Sequence, residues 1–107
     1  MARKPLTARG GRRAEERKVK KLRYDLERLA QLEAGGSPEH PIEVSSPVQV
    51  DARTETTPCP LCEGRLQLDE HVAEVIGTER LRVARCHCIE CGTARVIYYR
   101  LRSALQS

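Results

Sequence analysis

Two Cys-x-x-Cys pairs are the residues of this chain whose types and spacing point most directly to chemistry. The first pair is Cys59 and Cys62, and the second is Cys88 and Cys91. A two-residue gap allows a tight turn to direct both thiolates at one metal ion, and four thiolates complete a closed tetrahedral site. Because a closed site leaves no position for water or substrate, we expect one structural Zn²⁺. Iron in the same site, or a redox-active dithiol, is the alternative chemistry of this pattern.

A glycine accompanies each cysteine pair. Gly64 lies two residues after the first pair, and Gly92 directly follows the second. Glycine adopts positive φ without steric cost, so we expect both glycines to relieve the backbone where it turns back toward the metal.

Cys86 is the fifth cysteine of the chain and lies just before the second pair. It has three possible roles: a ligand in place of Cys88, a reactive thiol activated by neighbouring cations, or an ordinary small residue of a β-strand. A ligand role would replace the two-residue gap to Cys91 by a longer one. We therefore favour the strand residue and keep Cys59, Cys62, Cys88 and Cys91 as the metal ligands.

The composition agrees with a small domain that requires a metal. The chain has 107 residues, no Phe or Trp, three Tyr and 32% charged residues. Such a sequence buries little apolar surface, and zinc is an effective staple for a small core. No apolar run reaches the ~18 residues of a membrane span, and no export signal follows Met1. We therefore expect a cytoplasmic protein with no membrane partner, where paired cysteines favour metal over disulfides.

The N-terminal third carries most of the positive charge. Residues 1–34 contain 11 lysines and arginines against 5 acids. We interpret 1–11 as a disordered basic tail. Over 12–34, an apolar residue recurs every three or four positions, which predicts a basic amphipathic helix with the stripe Val19, Leu22, Leu26 and Leu29. Because this stripe covers only about two heptads, we expect a monomer or a weak homodimer through the helix.

The rest of the chain divides into a linker and a small β domain. Residues 35–57 contain three prolines and many Ser and Thr, which predicts a disordered linker. Alternation at Ile42/Val44 or at Val48/Val50 is compatible with one added edge strand. Residues 58–103 predict three short antiparallel strands over 65–76, 80–85 and 94–101, and a tail follows at 104–107. The expected fold class is therefore a small metal-stabilised β fold preceded by one helix.

The order of these features resembles the zinc-ribbon superfamily. The resemblance rests on Cys59-Pro60-x-Cys62-x-Gly64, a hairpin, Cys88-x-x-Cys91-Gly92 and a closing strand, and it covers residues 58–103. It implies a ribbon fold and a structural zinc. It does not imply one function, since zinc ribbons occur in transcription factors, ribosomal proteins and topoisomerase tails.

No catalytic motif is found, so we expect a protein that is not an enzyme. The density of cations predicts an association with RNA or DNA, or with a nucleic-acid-bound protein complex. On the predicted strands, alternation places a tyrosine and several arginines outward if the neighbouring apolar residues point inward. The candidate nucleic-acid-binding residues are Arg12, Arg13, Arg17, Lys20, Lys21, Arg80, Arg82, Tyr98, Arg100 and Arg102. The alternatives are a protein-docking adaptor with a structural zinc and, less favoured, a thiol redox or metal-handling protein.

Overall fold

A computed structural model describes residues 8–102, with side chains from residue 12 onward. Two helices and four strands follow one another along these residues as α1 (Ala8–Leu32), β1 (Ile42–Val44), α2 (Pro47–Thr56), β2 (Leu66–Ile76), β3 (Glu79–Cys88) and β4 (Ala94–Leu101). Residues 1–7 and 103–107, which include most of the expected N-terminal tail and all of the expected C-terminal tail, lie outside the described residues.

The four strands form one mixed sheet in the order β1-β4-β3-β2. Strands β2, β3 and β4 are antiparallel neighbours, as expected for a ribbon. The expected count of three strands is wrong, because β1 adds a fourth, which pairs in parallel with β4 through Ile42 and Tyr99. The alternation at Ile42/Val44 was therefore a true strand signal, whereas the same spacing at Val48/Val50 was not.

The segment that we expected to be a disordered linker contains β1 and helix α2. Pro47 occupies the first turn of α2, where its fixed φ and missing N–H suit a helix start. Val50 and Thr54, one turn apart, are both fully buried against the sheet, while Val48 is exposed. Burial of one helical face therefore outweighs the local β pattern and the linker-like composition, neither of which registers tertiary contacts.

Helix α1 begins four residues earlier and ends two residues earlier than the expected range 12–34. The chain leaves the helix through Gly35, whose φ of 83° is a backbone conformation that glycine adopts without strain. Among the described residues, α1 approaches the rest of the fold only over its C-terminal part, where Ala30 is buried and the helix lies beside Cys59 and Tyr98. The apolar stripe is therefore largely open, and Val19, Leu22 and Leu29 are each more than half exposed.

The core lies between α2 and one face of the sheet. Its fully buried side chains include Val50 of α2, Leu66 of β2 and Tyr99 of β4. The Tyr99 hydroxyl lies 2.9 Å from the Thr54 hydroxyl, so the two buried hydroxyl groups satisfy each other. Burial is the main reason that the pKa of Tyr99 is raised.

A β-bulge between Leu68 and Glu70 changes which residues of β2 face this core. Before the bulge, Leu68 lies opposite Cys86, and after it, Val72 lies opposite Val83. Leu68 therefore faces the core and Val72 the other side of the sheet, because one extra residue in a strand reverses the alternation.

Candidate metal centre and basic surfaces

Two tight turns with the same hydrogen bonds carry the four paired cysteines. In the first turn, Cys59 N–H donates to Gly64 O and Glu63 N–H donates to Cys59 O, both at 2.9 Å. In the second, Cys88 N–H donates to Thr93 O and Gly92 N–H donates to Cys88 O, again at 2.9 Å. The chain therefore builds the same knuckle twice, once before β2 and once between β3 and β4.

The knuckles bring the four sulfur atoms together. The Sγ atoms of Cys59, Cys62, Cys88 and Cys91 all lie within 4.8 Å of one another. Two of the separations are 3.7 Å, between Cys59 and Cys91, and 3.4 Å, between Cys62 and Cys88. A tetrahedral site with Zn–S bonds of about 2.3 Å has sulfur–sulfur edges of about 3.8 Å, whereas a disulfide bond measures about 2.0 Å. The observed spacing fits a shared metal ion.

Backbone N–H groups point at the sulfur atoms of both knuckles. Leu61 N–H donates to Cys59 Sγ at 3.4 Å, and Glu90 N–H donates to Cys88 Sγ at the same distance. Gly64 N–H donates to Cys62 Sγ at 3.3 Å. Hydrogen bonds of this kind favour the thiolate form, which is the form that binds a metal.

The thiols of the two exposed cysteines, Cys62 and Cys91, differ in acidity. Thr93, whose hydroxyl oxygen lies 3.0 Å from Cys91 Sγ, lowers the pKa of Cys91 to about 6. The Gly64 N–H favours the Cys62 thiolate, but hydrogen bonding with Cys88 and desolvation outweigh it and raise the pKa of Cys62 to about 12. Four sulfurs at this spacing repel one another as thiolates, and a divalent cation among them removes that conflict.

The two glycines serve the knuckles in different ways. Gly92 has a φ of 77°, as expected. Gly64 does not have positive φ, because Glu63 takes the equivalent position with a φ of 63°. A Cβ on Gly64 would lie 2.9 Å from Cys88 Sγ and 2.6 Å from Glu90 Cγ. Gly64 is therefore required for the close approach of the two knuckles. The prediction of a positive φ at Gly64 was wrong.

Cys86 lies outside the cluster of four sulfurs. It is buried in β3, and its thiol donates to Arg95 O at 3.3 Å. Burial raises the pKa of Cys86 to about 11, which keeps the thiol protonated and unreactive. These observations agree with the interpretation of Cys86 as a strand residue.

The five candidate cations of α1 are all exposed. They are Arg12, Arg13, Arg17, Lys20 and Lys21. No carboxylate of the described residues lies within ion-pair distance of any of them. Glu16 and Lys20 are four residues apart, which allows an ion pair, but the described residues show no ion pair between them. The cations of α1 are therefore not neutralised by direct contact within residues 12–102.

The candidate residues of the sheet do not form one surface. Arg82 lies opposite Tyr99 in the register, so it shares the face of the core, whereas Tyr98 lies opposite Val83 on the other face. By alternation, Arg80 joins Arg82, and Arg100 and Arg102 join Tyr98. We expected these tyrosine and arginine side chains on one face of the sheet, but they lie on two. The reason is that Leu81 and Val83 are buried on the face opposite to Ile97 and Tyr99.

Acidic neighbours hold two of these sheet cations. Arg100 donates to both carboxylate oxygens of Glu79 at 2.8 Å and lies 3.6 Å from Glu43. Arg102 lies 3.7 Å from Glu43. Tyr98 is half-buried beside the C-terminal end of α1. The face that carries Tyr98 is therefore less basic than its arginines alone indicate.

A pair that the sequence analysis missed joins α2 to the sheet. His71 Nδ1 lies 2.9 Å from Asp51 Oδ1, and 14% of the His71 side chain is exposed. The β-bulge turns His71 toward α2, which the sequence does not reveal without the register. His71 has no place in the metal centre and fastens α2 onto β2.

The chain was compared with protein-family models, curated proteins and solved structures, and none of them matches it. Among the described residues, no helix has the length and apolar character needed to cross a membrane.

Proposed function

We propose that the four clustered cysteines hold one structural Zn²⁺ and that residues 58–102 form a zinc ribbon. Cys59, Cys62, Cys88 and Cys91 would supply all four ligands, and the ion would supply charge neutralisation and a cross-link between the two knuckles. The support is the spacing of the four sulfurs together with the N–H groups directed at them. Elemental analysis of the purified protein should give one zinc per chain, and iron in place of zinc, or no metal, would contradict the proposal.

We further propose that the protein is not an enzyme and binds nucleic acid through α1. The observation that carries this proposal is the row of exposed cations on α1 that have no carboxylate partner among the described residues. Phosphates attract such cations without regard to base sequence, because the binding energy comes largely from counterion release. The sheet contributes less, because Arg100 and Arg102 are already held by Glu43 and Glu79.

The test of nucleic-acid binding is its dependence on salt. Fluorescence anisotropy with labelled DNA and RNA at several salt concentrations should show binding that weakens steeply as salt rises. Exchange of Arg12, Arg13, Arg17, Lys20 and Lys21 for glutamine together should make the slope of log K against log salt shallower by several units, since each phosphate contact contributes about 0.7–0.9. A control exchanges three arginines that are ion-paired in the sheet, Arg85, Arg100 and Arg102, and should change the slope by less per removed charge. Undetectable binding at low salt would refute this function.

A second candidate function is protein docking through the apolar stripe of α1. Val19, Leu22 and Leu29 are more than half exposed, which is unusual for one side of an amphipathic helix. Exchange of Leu22 and Leu29 for serine distinguishes the two functions, because it should leave the salt slope of nucleic-acid binding intact. Loss of a protein partner in these variants, with nucleic-acid binding absent from the parent protein, would make docking the better explanation.

A further inference from the structure

The cations of α1 are not spread evenly around the helix. Spacings of three or four residues connect Arg13, Arg17, Lys20, Tyr24 and Arg28 along α1. Lys21 joins the same row, four residues after Arg17 and three before Tyr24. Residues at these spacings lie on one side of a helix. All six side chains are exposed. We name this set of five cations and Tyr24 the cationic stripe.

Acidic residues fall outside the cationic stripe. At 3.6 residues per turn, Glu15 projects toward the apolar residues, Glu16 and Glu27 border the stripe on the flank of Lys20, and Asp25 borders it on the other flank. The remaining cations of the described helix also project elsewhere; they are Arg12, Lys18 and Arg23. Of these, Arg23 donates to Thr93 Oγ1 at 3.2 Å, which directs it toward the second knuckle and away from a ligand. The stripe is thus a surface of one sign, opposite the apolar residues.

The stripe is straight and long. From Arg13 to Arg28, at a rise of about 1.5 Å per residue, it spans about 22 Å. A row of charges fixed on a helix fits a row of phosphates that is itself fixed, and the backbone of a duplex supplies one phosphate per strand about every 3.4 Å along its axis. A flexible single strand would lose more conformational freedom to follow the same row.

Of the three tyrosines, only Tyr24 is exposed, and the Arg28 guanidinium already lies over its ring. Arg28 donates to the Tyr24 hydroxyl at 3.0 Å, and its guanidinium carbon lies 5.7 Å from the centre of the Tyr24 ring. Tyr99 is fully buried, and Tyr98 is half-buried. The chain contains no Phe or Trp. Because single-strand recognition depends on exposed aromatic rings, this inventory favours a duplex.

We propose that the cationic stripe of α1 binds the phosphate backbone of a double-stranded nucleic acid. This inference rests on the proposed nucleic-acid function and specifies the face of the helix and the form of the ligand. Arg13, Arg17, Lys20, Lys21 and Arg28 contact successive phosphates, and Tyr24 holds Arg28 in place. Sequence selectivity is not expected, since phosphate contacts carry no base information.

Two variants of equal charge test which face binds. Arg17→Gln with Lys20→Gln removes one arginine and one lysine from the stripe. Lys18→Gln with Arg23→Gln removes the same two residue types from outside it, and Arg23 already donates to Thr93. Glutamine has nearly the helix propensity of both, so α1 is preserved, which circular dichroism checks. The probes are a 20-base-pair DNA duplex, an RNA duplex of the same length and a 20-residue oligothymidylate.

The stripe variant should bind both duplexes several-fold more weakly, and its salt slope should fall by about 2, since each lost phosphate contact removes about 1. The control variant should keep the slope of the parent protein, and the parent should bind the duplexes more tightly than the single strand. Equal losses of duplex affinity in the two variants would contradict the assignment of binding to the stripe, without contradicting nucleic-acid binding itself. Tighter binding of the oligothymidylate than of the duplexes would contradict the preference for a double-stranded ligand. Absence of binding by the parent protein would contradict both the assignment of the stripe and the proposed function.

Discussion

Helix α1 and the domain formed by the sheet and α2 use the same residue types in opposite ways. In the domain, Val50, Ile97 and Tyr99 are buried. Its arginines at positions 85, 100 and 102 contact glutamates. In α1, the apolar side chains are largely exposed, and no carboxylate of the described residues forms an ion pair with its cations. Side chains that are satisfied within a fold stabilise it, whereas unsatisfied ones are available to a partner.

With the function proposed above, this difference would separate the residues that stabilise the fold from those that bind a partner. The domain holds the buried core and the four sulfurs, so its folding depends on contacts far apart in sequence. Helix α1 depends on its own backbone hydrogen bonds, and a helix of 25 residues is stable in water only in part. Substitutions of equal chemistry in the two regions should therefore have very unequal effects on unfolding.

The largest expected effect is loss of the domain on loss of metal. Cys59→Ser should leave residues 58–102 unfolded, because the free energy of zinc binding at such a site, about 10–16 kcal/mol, is folding free energy. The helical signal of α1 in circular dichroism should persist in part. Cys86→Ser is the control and should keep the metal. If the Cys59 variant retains dispersed amide resonances of the sheet, the metal is not what holds the domain.

The next effect compares one valine in each region. Val50→Ala should lower the free energy of unfolding by about 2 kcal/mol, since it removes two buried methyl groups and leaves a cavity. Val19→Ala makes the same chemical change at a side chain that is 59% exposed, and it should change stability by less than about 0.5 kcal/mol. Denaturant titration in the presence of zinc measures both values. Equal losses would mean that the stripe of α1 is covered in the free protein.

The sequence specified some of these features and concealed others, for physical reasons. The cysteine spacing predicted that Cys59, Cys62, Cys88 and Cys91 would cluster, because a short turn forces ligands together whatever surrounds it. The strands β2 to β4 followed from alternation. Helix α2 did not, because Val50 and Thr54 are buried only once the sheet exists. The division of the arginines into two faces depends on the register of β3 against β4, which pairs Arg82 with Tyr99 and has no local signature.

A smaller effect compares one tyrosine hydroxyl in each region. Tyr99→Phe leaves the buried Thr54 hydroxyl without its partner at 2.9 Å, which should cost about 1–2 kcal/mol of unfolding free energy. Tyr24→Phe removes an exposed hydrogen bond from Arg28, where water replaces the hydroxyl, so stability should be nearly unchanged. Thermal melts of the zinc-loaded variants measure the difference. A double variant, Thr54→Val with Tyr99→Phe, should recover part of the loss, because neither hydroxyl is then left unpaired.

The smallest expected effect is a gain, and it distinguishes the two knuckles within the domain. Glu63 holds a φ of 63° at the position where the second knuckle has Gly92, although the hydrogen bonds of the two turns are the same. The left-handed conformation costs a residue with a side chain about 1–2 kcal/mol. Glycine removes that cost but adds about 0.5–1 kcal/mol of chain entropy to the unfolded state. Glu63→Gly should therefore stabilise the domain by about 0.5–1 kcal/mol.

The reverse change at the second knuckle completes the comparison. Gly92→Ala introduces the strain that Glu63 already carries, and no atom lies within 4 Å of the added Cβ, so the effect comes from the backbone alone. It should destabilise the domain by about the amount that Glu63→Gly gains. Both variants should leave the salt slope of nucleic-acid binding unchanged, because neither Glu63 nor Gly92 belongs to the cationic stripe of α1. A gain at Gly92, or a change of slope in either variant, would show that the knuckles and α1 are not independent.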